Sequence, residues 1–378
     1  MNQKNPKIFS FFAGAGFLDL GFEKAGFSVV FVNEIHKPFL ESYIHSRLKL
    51  GNPAPIYGYH HDGINEYLNG EKSKILKNNV QELKKTDIVG FIGGPPCPDF
   101  SIGGKNKGRD GKHGILSDVY ADLIIKMMPH FFVFENVKGL WRTKKHKIYY
   151  DELKSKLFKS GFILTERLIN SIEYGVPQDR ERIILIGFHK DFLKQFNKKM
   201  PDFGSYLGDF PWKSQIKYDK DKVFSIDWPK KSNFKEGEPL DIPKGVISEL
   251  TVQYWFDKNQ VENHPNRLDF FQARAGLSKM KLIEEGDDSK KSYKRLHRWR
   301  YSPTACYGNN EVHLHPYYAR RLTVSEALAL QSLPKEFEIP KEISLTNKFK
   351  MIGNGVPFLA AHGVAISILN FINGFKNG

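Results

Sequence analysis

Residues 7–34 place the tightest limit on what this chain can fold into. An alternating apolar run at 7–12 ends in the turn Ala13-Gly14-Ala15-Gly16-Phe17. A helical pattern then passes through Leu18, Leu20, Phe22 and Ala25, and a second apolar run, Ser28 to Val32, stops at Asn33-Glu34. Strand, glycine turn, helix, strand and acid in that order form the front half of a nucleotide-binding βαβ unit, in which the glycines let the backbone approach a ligand. A glycine loop of this kind is weak evidence when it stands alone.

The alternation continues. Apolar strands are predicted at Asp87 to Ile92, Phe131 to Phe134 and Arg182 to Gly187, with helical patterns between them at Tyr120 to Met128 and Asp151 to Ser160. Strands and helices taking turns at this spacing predict an α/β fold with a mostly parallel sheet. From about residue 189 the texture changes to Lys, Asp, Pro, Gly and Trp without a sustained period, as in Asp227-Trp228-Pro229-Lys230-Lys231. Regular patterning returns at Thr323 to Ser332 and in an apolar helix from Phe358 to Phe371. The reading is therefore one domain from residues 1–188 and 340–378, and a second, irregular one at 189–339. A chain of 378 residues, 40% of them hydrophobic, has ample apolar surface for both cores.

Two cysteines, Cys97 and Cys306, exclude a disulfide framework and any multi-thiolate metal site, and the thirteen histidines show no zinc-ligand spacing. No metal is expected. The first residues lead straight into a strand of a few residues, too short for a signal peptide, and no membrane span is expected. A formal charge of +15 favours a polyanionic partner, through attraction to phosphates and release of their counterions. The alternative on charge alone is a generally basic protein.

Cys97 lies in Gly93-Gly94-Pro95-Pro96-Cys97-Pro98-Asp99-Phe100-Ser101, directly after the Asp87–Ile92 run. A loop there belongs to the carboxyl edge of a parallel sheet, where open α/β folds bind ligands, and two prolines fix the backbone before the sulfur. Glu135-Asn136-Val137 occupies the end of the next strand, so two neighbouring strands deliver a thiol and a carboxyl to one crevice. Desolvation between Phe134 and Val137 should raise the pKa of Glu135 and suit it to donating a proton; the competing reading is a solvated strand-end glutamate. A further strand is predicted to begin at Gln178-Asp179-Arg180-Glu181-Arg182, which would put two guanidiniums on one side of an extended chain, able to bind phosphate or polarise a carbonyl. A charged strand edge is the alternative there.

Taken together these blocks resemble the DNA cytosine-5 methyltransferases of bacterial restriction systems. They are Phe12-Ala13-Gly14-Ala15-Gly16, Asn33-Glu34, Pro95-Pro96-Cys97, Glu135-Asn136-Val137, Gln178-x-Arg180-x-Arg182, Arg321-Leu322-Thr323-x-x-Glu326 and Gly353-Asn354-Gly355-Val356-Pro357. Each is short, but their joint occurrence in the family's order is specific, and the resemblance spans nearly the whole chain outside about 190–290. It implies a Rossmann-like fold dependent on S-adenosylmethionine, plus a smaller target-recognition domain. It also implies the chemistry: attack of Cys97 on carbon 6 of a cytosine flipped out of the duplex, Glu135 at the ring's N3, and Arg182 with Arg180 at O2 and a neighbouring phosphate.

On the cofactor side the resemblance implies contacts from Phe12, Ala13, Gly14 and Gly16, from Glu34 to both ribose hydroxyls, and from Asp62, Pro95, Leu116, Asn354, Gly355 and Val356, with S-adenosylhomocysteine as product. Duplex DNA is the implied partner, with a cognate restriction endonuclease acting alongside. A monomeric cytoplasmic protein without a membrane partner is expected. The basic, glycine-rich loop after the nucleophile nominates Ser101, Lys105, Lys107 and Arg109 for DNA contact. The cluster Lys290 to Arg300 nominates Arg298 and Arg300, against the alternative of a solvated charge run, and Thr304-Ala305 resembles the family's Thr-Leu dipeptide.

The chain departs from the pattern at four places: Pro98 replaces a glutamine, Ser10 an aspartate, Phe17 a glycine and His36 an aspartate. A nicotinamide-dependent dehydrogenase is the first competing reading, but Asp19 stands where its third glycine belongs. A transfer-RNA methyltransferase of the same family would carry a Cys-Phe-Thr tripeptide, absent here. A catalytically silent DNA-binding relative would have no chemical need for a thiol beside a carboxyl.

Overall fold

The computed structural model describes residues 5–96, 114–195, 204, 206–273, 276–290, 292–305, 307 and 313–374. Cys97, Ser101, Lys105, Lys107 and Arg109 of the expected site lie outside the described residues, as do Pro98 and Cys306.

The amino-terminal unit forms as its pattern predicts, β1 (Lys7–Phe11), α1 (Phe17–Lys24) and β2 (Ser28–Asn33), and continues into α2 (Lys37–Lys49). It is followed by β3 (Tyr59–His60), α3 (Gly70–Lys84), β4 (Val89–Gly93), α4 (Gly114–Met127) and β5 (Phe131–Val137). Strands β1 to β5 pair in parallel in the order β3-β2-β1-β4-β5. The order reverses direction between β1 and β4, so the crevice beyond Phe11 and Gly93 is the topological switch point, where α/β sheets bind ligands.

Alternation ends after β5. Helices α5 (Lys138–Arg142) and α6 (Lys144–Lys159) lead to β6 (Phe162–Asn170), a strand the sequence reading did not identify, and β7 (Glu181–His189). Both β5–β7 and β6–β7 are antiparallel, giving the final order β3-β2-β1-β4-β5-β7-β6. Reversing β7 has one important effect. Its first residues, not its last, lie at the ligand edge, with Arg182 opposite Val137.

The remaining elements are short until the carboxyl end: α7 (Lys190–Lys194), α8 (Lys220–Ser225), α9 (Val252–Lys258), α10 (Leu277–Lys281), the two-residue strands β8 (Lys294–Arg295) and β9 (His313–Leu314), and α11 (Val324–Leu330), α12 (Leu345–Asn354) and α13 (Phe358–Gly374). Irregular backbone at 206–273 matches the predicted change of texture. One core gathers Phe17 and Phe39 of the amino-terminal unit with Trp255, Leu328 and Phe349, so the irregular region is packed onto the first layer rather than hung from it. Contrary to expectation, Leu345–Gly374 has the length and apolarity of a membrane span. It is broken at Gly355–Pro357 and mostly buried: α13 packs on α1, where a Cβ at Gly21 would meet Ala361 Cβ at 2.5 Å.

Candidate active site

Strands β4 and β5 are in register from Gly90–Phe131 to Gly93–Phe134, which puts the next pair, Gly94 and Glu135, side by side at the ligand edge. The approach is close: a Cβ at Gly94 would lie 2.5 Å from Glu135 Oε2. Glycine is required there because the carboxyl fills the space. Pro95 is buried and Pro96 half-buried, and the next residue in the chain is Cys97.

Glu135 is buried, and Arg182 Nε reaches its Oε1 at 2.9 Å from the antiparallel neighbour β7. Burial raises the Glu135 pKa above the usual carboxylate value, while the Arg182 and Arg180 charges and the Arg182 hydrogen bond oppose that shift. The reading of a solvated strand-end glutamate is thereby set aside. Lys138 pairs with Glu181 beside it, on the outward side of the same edge.

Arg180 is placed differently from the expected pair of guanidiniums on one face. Strand β7 begins at Glu181, so the two-residue period does not extend back to Arg180. Its side chain is fully buried and donates to the carbonyls of Ala305 at 3.0 Å, Gly353 at 2.8 Å and Gly355 at 3.0 Å. It therefore ties three backbone segments together, while its charge still acts on the Glu135 carboxyl alongside that of Arg182. Gln178 supports the tie, donating to Leu330 O at 3.2 Å and accepting from Ala305 N at 3.1 Å.

Around the switch point the cofactor candidates converge. Phe12 follows β1 with a left-handed φ of 53°, costly for a non-glycine residue, and its ring meets Tyr120 edge-on at 5.9 Å. Ala13 N donates to Asn33 O at 3.1 Å, tying the turn to the end of β2. Gly14 and Gly16 have φ of 58° and 81°, and a Cβ at Gly14 would meet nothing within 4 Å, which leaves open space over the turn.

Glu34 is buried. Its Oε2 accepts from Gly14 N at 2.8 Å and its Oε1 from His36 N at 2.7 Å, while burial outweighs these bonds and raises its pKa. Each oxygen keeps a lone pair for a further donor. Asp62, two residues beyond β3, accepts from Tyr67 Oη at 3.0 Å and pairs with Lys72 at 2.7 Å; the Lys72 hydrogen bond is the main cause of its lowered pKa. Leu116 on α4 is half-buried against the core. Asn354 ends α12 with its side chain exposed, Val356 is buried, and Gly355 faces the Phe17 ring, which a Cβ there would strike at 2.2 Å.

The DNA-facing candidates fare differently. Arg298 is buried in a two-pronged pair with Glu285, Nε–Oε1 2.9 Å and Nη2–Oε2 2.8 Å, and stacks over Tyr317 at 4.3 Å. Arg300 donates to Asp288 at 3.0 Å and to Gly286 O at 3.1 Å. Thr304 Oγ1 donates to Asp179 O at 2.5 Å. Arg298 is thus a correction to the sequence reading: a basic residue in a charged run became an interior partner because Glu285, thirteen residues earlier, folds against it. Nothing in the local pattern announces that pairing.

This layout has a counterpart among known proteins. The C-5 cytosine-specific DNA methylase family model matches residues 6–370. The chain belongs to that family. It is 55% identical over 374 residues to the type II methyltransferase M.NmeDI of Neisseria meningitidis serogroup C, covering 98% of this chain and 85% of the relative. It is 29% identical over 388 residues to M.MthTI of Methanothermobacter thermautotrophicus, covering 99% and 100%. Among solved structures, the S. pombe Dnmt2 methyltransferase superposes with a TM-score of 0.60 at 13% identity, covering 97% of this chain and 99% of that one. A protein named as a putative DNA modification methyltransferase of an E. coli prophage gives 0.57 at 20% identity, covering 98% and 100%. These two likenesses show the fold alone.

Membership settles the competing dehydrogenase reading against itself. The methylase also contains a cluster that sequence reading missed: buried Asp19, Tyr43 and Arg47 with half-buried Glu23, beneath the glycine turn. The available signal was helical spacing. Phe39, Tyr43 and Arg47 recur four apart on α2, which puts an arginine on the face that an apolar stripe marks as buried.

Proposed function

We propose that this methylase transfers a methyl group to carbon 5 of a flipped-out cytosine in duplex DNA, with Cys97 as nucleophile and Glu135 and Arg182 as its partners. One observation carries the reading: a buried carboxyl with a raised pKa, held by a guanidinium, lies directly over Gly94, and Gly94 is three residues before the only cysteine in the amino-terminal half.

The Cys97 thiolate adds to carbon 6, and the ring's displaced electron pair makes carbon 5 nucleophilic while charge builds at N3 and O2. Glu135, whose pKa burial raises, donates a proton to N3, and Arg182 both orients that carboxyl and offers donors to O2. S-adenosylmethionine, when bound, supplies an electrophilic methyl group to carbon 5. Loss of the carbon-5 proton to a base and expulsion of the Cys97 thiolate then restore the aromatic ring.

The residues present fit that cofactor. Open space over Gly14 and lone pairs left on a buried Glu34 provide room and a diol acceptor, and Val356 is proposed as an apolar wall. Phe12, Ala13, Gly16, Asp62, Pro95, Leu116, Asn354 and Gly355 complete the proposed pocket. Residues 189–339 are proposed to read the DNA target, with Arg300 and Thr304 bracing that surface and Ser101, Lys105, Lys107 and Arg109 gripping phosphates. The relatives are named type II methyltransferases, which supports action on DNA in the cytoplasm beside a companion restriction endonuclease; the protein is proposed to act as a monomer.

Bisulfite sequencing of DNA from a host expressing the chain identifies the target. A duplex of that sequence carrying 5-fluorocytosine has no proton to lose at carbon 5, so wild-type protein with cofactor should become covalently attached and Cys97→Ser should not. A wild-type protein that methylates the unmodified duplex yet forms no adduct would overturn the role of Cys97.

A further inference from the structure

The glycine turn is gripped from both ends by a single βα unit. Ahead of α2, Glu34 Oε2 accepts from Gly14 N at 2.8 Å. From the last turn of α2, Arg47 Nη2 donates to Gly16 O at 2.6 Å. Arg47 is fully buried, and its Nε pairs with Glu23 of α1 at 2.7 Å while the guanidinium lies over the Tyr43 ring at 4.4 Å. Tyr43 in turn donates to the buried Asp19 at 2.9 Å. Packing under the turn is so close that a Cβ at Gly16 would stand 2.5 Å from Tyr43 and 2.7 Å from Arg47 Nη2.

A charged arginine with no route to water is expensive to bury, and its removal would leave the half-buried Glu23 without its partner. What this arrangement achieves is geometric. A guanidinium has donors on three nitrogens in one rigid plane, so it can bond Glu23 and a backbone carbonyl while stacking flat on an aromatic ring; an ammonium cannot do all three. Gly16 has φ 81° and caps α1, and Gly14 has φ 58°, so the turn's shape is one the chain would leave readily if unsupported.

We propose that Arg47 is a positioning residue for cofactor binding, fixing the glycine turn against α2 and thereby setting the distance between the turn and the Glu34 carboxylate. The proposal rests on the cofactor reading given above. Because both anchors, Glu34 and Arg47, belong to one rigid helix and its lead-in, loosening Arg47 lets the turn drift from the acid. It changes no group that meets the cytosine.

The test uses the full chain. S-adenosylhomocysteine is titrated calorimetrically into wild type, Arg47→Lys and Glu23→Gln without DNA, and each protein is melted without ligand. Glu23→Gln keeps the Arg47–Gly16 bond and controls for stability alone. Arg47→Lys should bind about tenfold more weakly, while Glu23→Gln, although less stable, should bind within about twofold of wild type. In methylation assays on unmethylated plasmid DNA, Arg47→Lys should raise KM for S-adenosylmethionine by about the same factor and leave kcat unchanged.

Wild-type affinity in Arg47→Lys, or losses in the two variants that simply track their melting temperatures, overturns the positioning role. A wild-type chain that binds no S-adenosylhomocysteine overturns the cofactor reading, and this proposal with it.

Discussion

A methyl group on Gly94 would lie 2.5 Å from Glu135 Oε2, inside any real carbon–oxygen contact, so the smallest possible side chain at that position must push the carboxyl aside. The Arg182 bond at 2.9 Å would then be lost or bent, and with it the orientation of the Glu135 carboxyl. Gly94→Ala should therefore fold, since the clash is with a movable side chain, and lower kcat by about a hundredfold, the scale of a displacement near 1 Å at reacting groups. Single-turnover methylation with saturating cofactor measures this; a wild-type rate would mean that Glu135 is not held where its register places it. Sequence pattern found Glu135, Arg182 and Cys97 individually. It could not find Gly94's role, because the close approach exists only between two strands that are 41 residues apart in the chain.

At the scale of elements, α1 and α2 show why burial, rather than residue type, sets chemistry. Asp19 sits in the first turn of α1, fully buried, and burial lifts its pKa from 3.8 to about 6, with Arg47 pulling the other way and the neighbouring Glu23 adding to the rise. The folded state thus holds this proton more tightly than the unfolded chain does. The stability it contributes is complete below pH 3.8 and is lost as pH rises through about 6, an amount near 3 kcal/mol for a shift of this size. Asp19→Asn retains an acceptor for Tyr43 and should remove that dependence: urea melts between pH 4 and 6.5 should show wild type losing this contribution as pH rises, and the variant should lack it. Equal slopes would refute the assignment. The same scale explains the missed strand. The run Phe162–Asn170 contains Thr165, Glu166 and Arg167 and reads as neither a clean alternation nor an apolar stretch. It is a strand because β7 supplies nine paired residues beside it.

Over the whole molecule, charge in the sequence and charge available to DNA are different quantities. Arg298, Arg295 and Arg180 are all buried: Arg298 on Glu285, and Arg295 and Arg180 on backbone carbonyls. Arg298→Ala leaves Glu285 buried without its partner and should cost about 3–5 kcal/mol of stability, read as a lower melting temperature. Below that temperature, the salt dependence of DNA binding should match wild type, since no phosphate contact is removed; a slope reduced by about one would mean Arg298 does meet a phosphate.

The sequence by itself determined the βαβ start, the parallel strands β1, β2, β4 and β5, the family blocks and the identity of the acid and thiol. All of these depend on short periods or on residues adjacent in the chain. Only the tertiary structure decided that β7 runs backwards, that Arg180 and Arg182 part company, that Arg47 holds the glycine turn and that Arg298 is interior. Each of those depends on a partner tens to hundreds of residues away, as with Arg180 and Gly355, and a buried charge goes where its partner is.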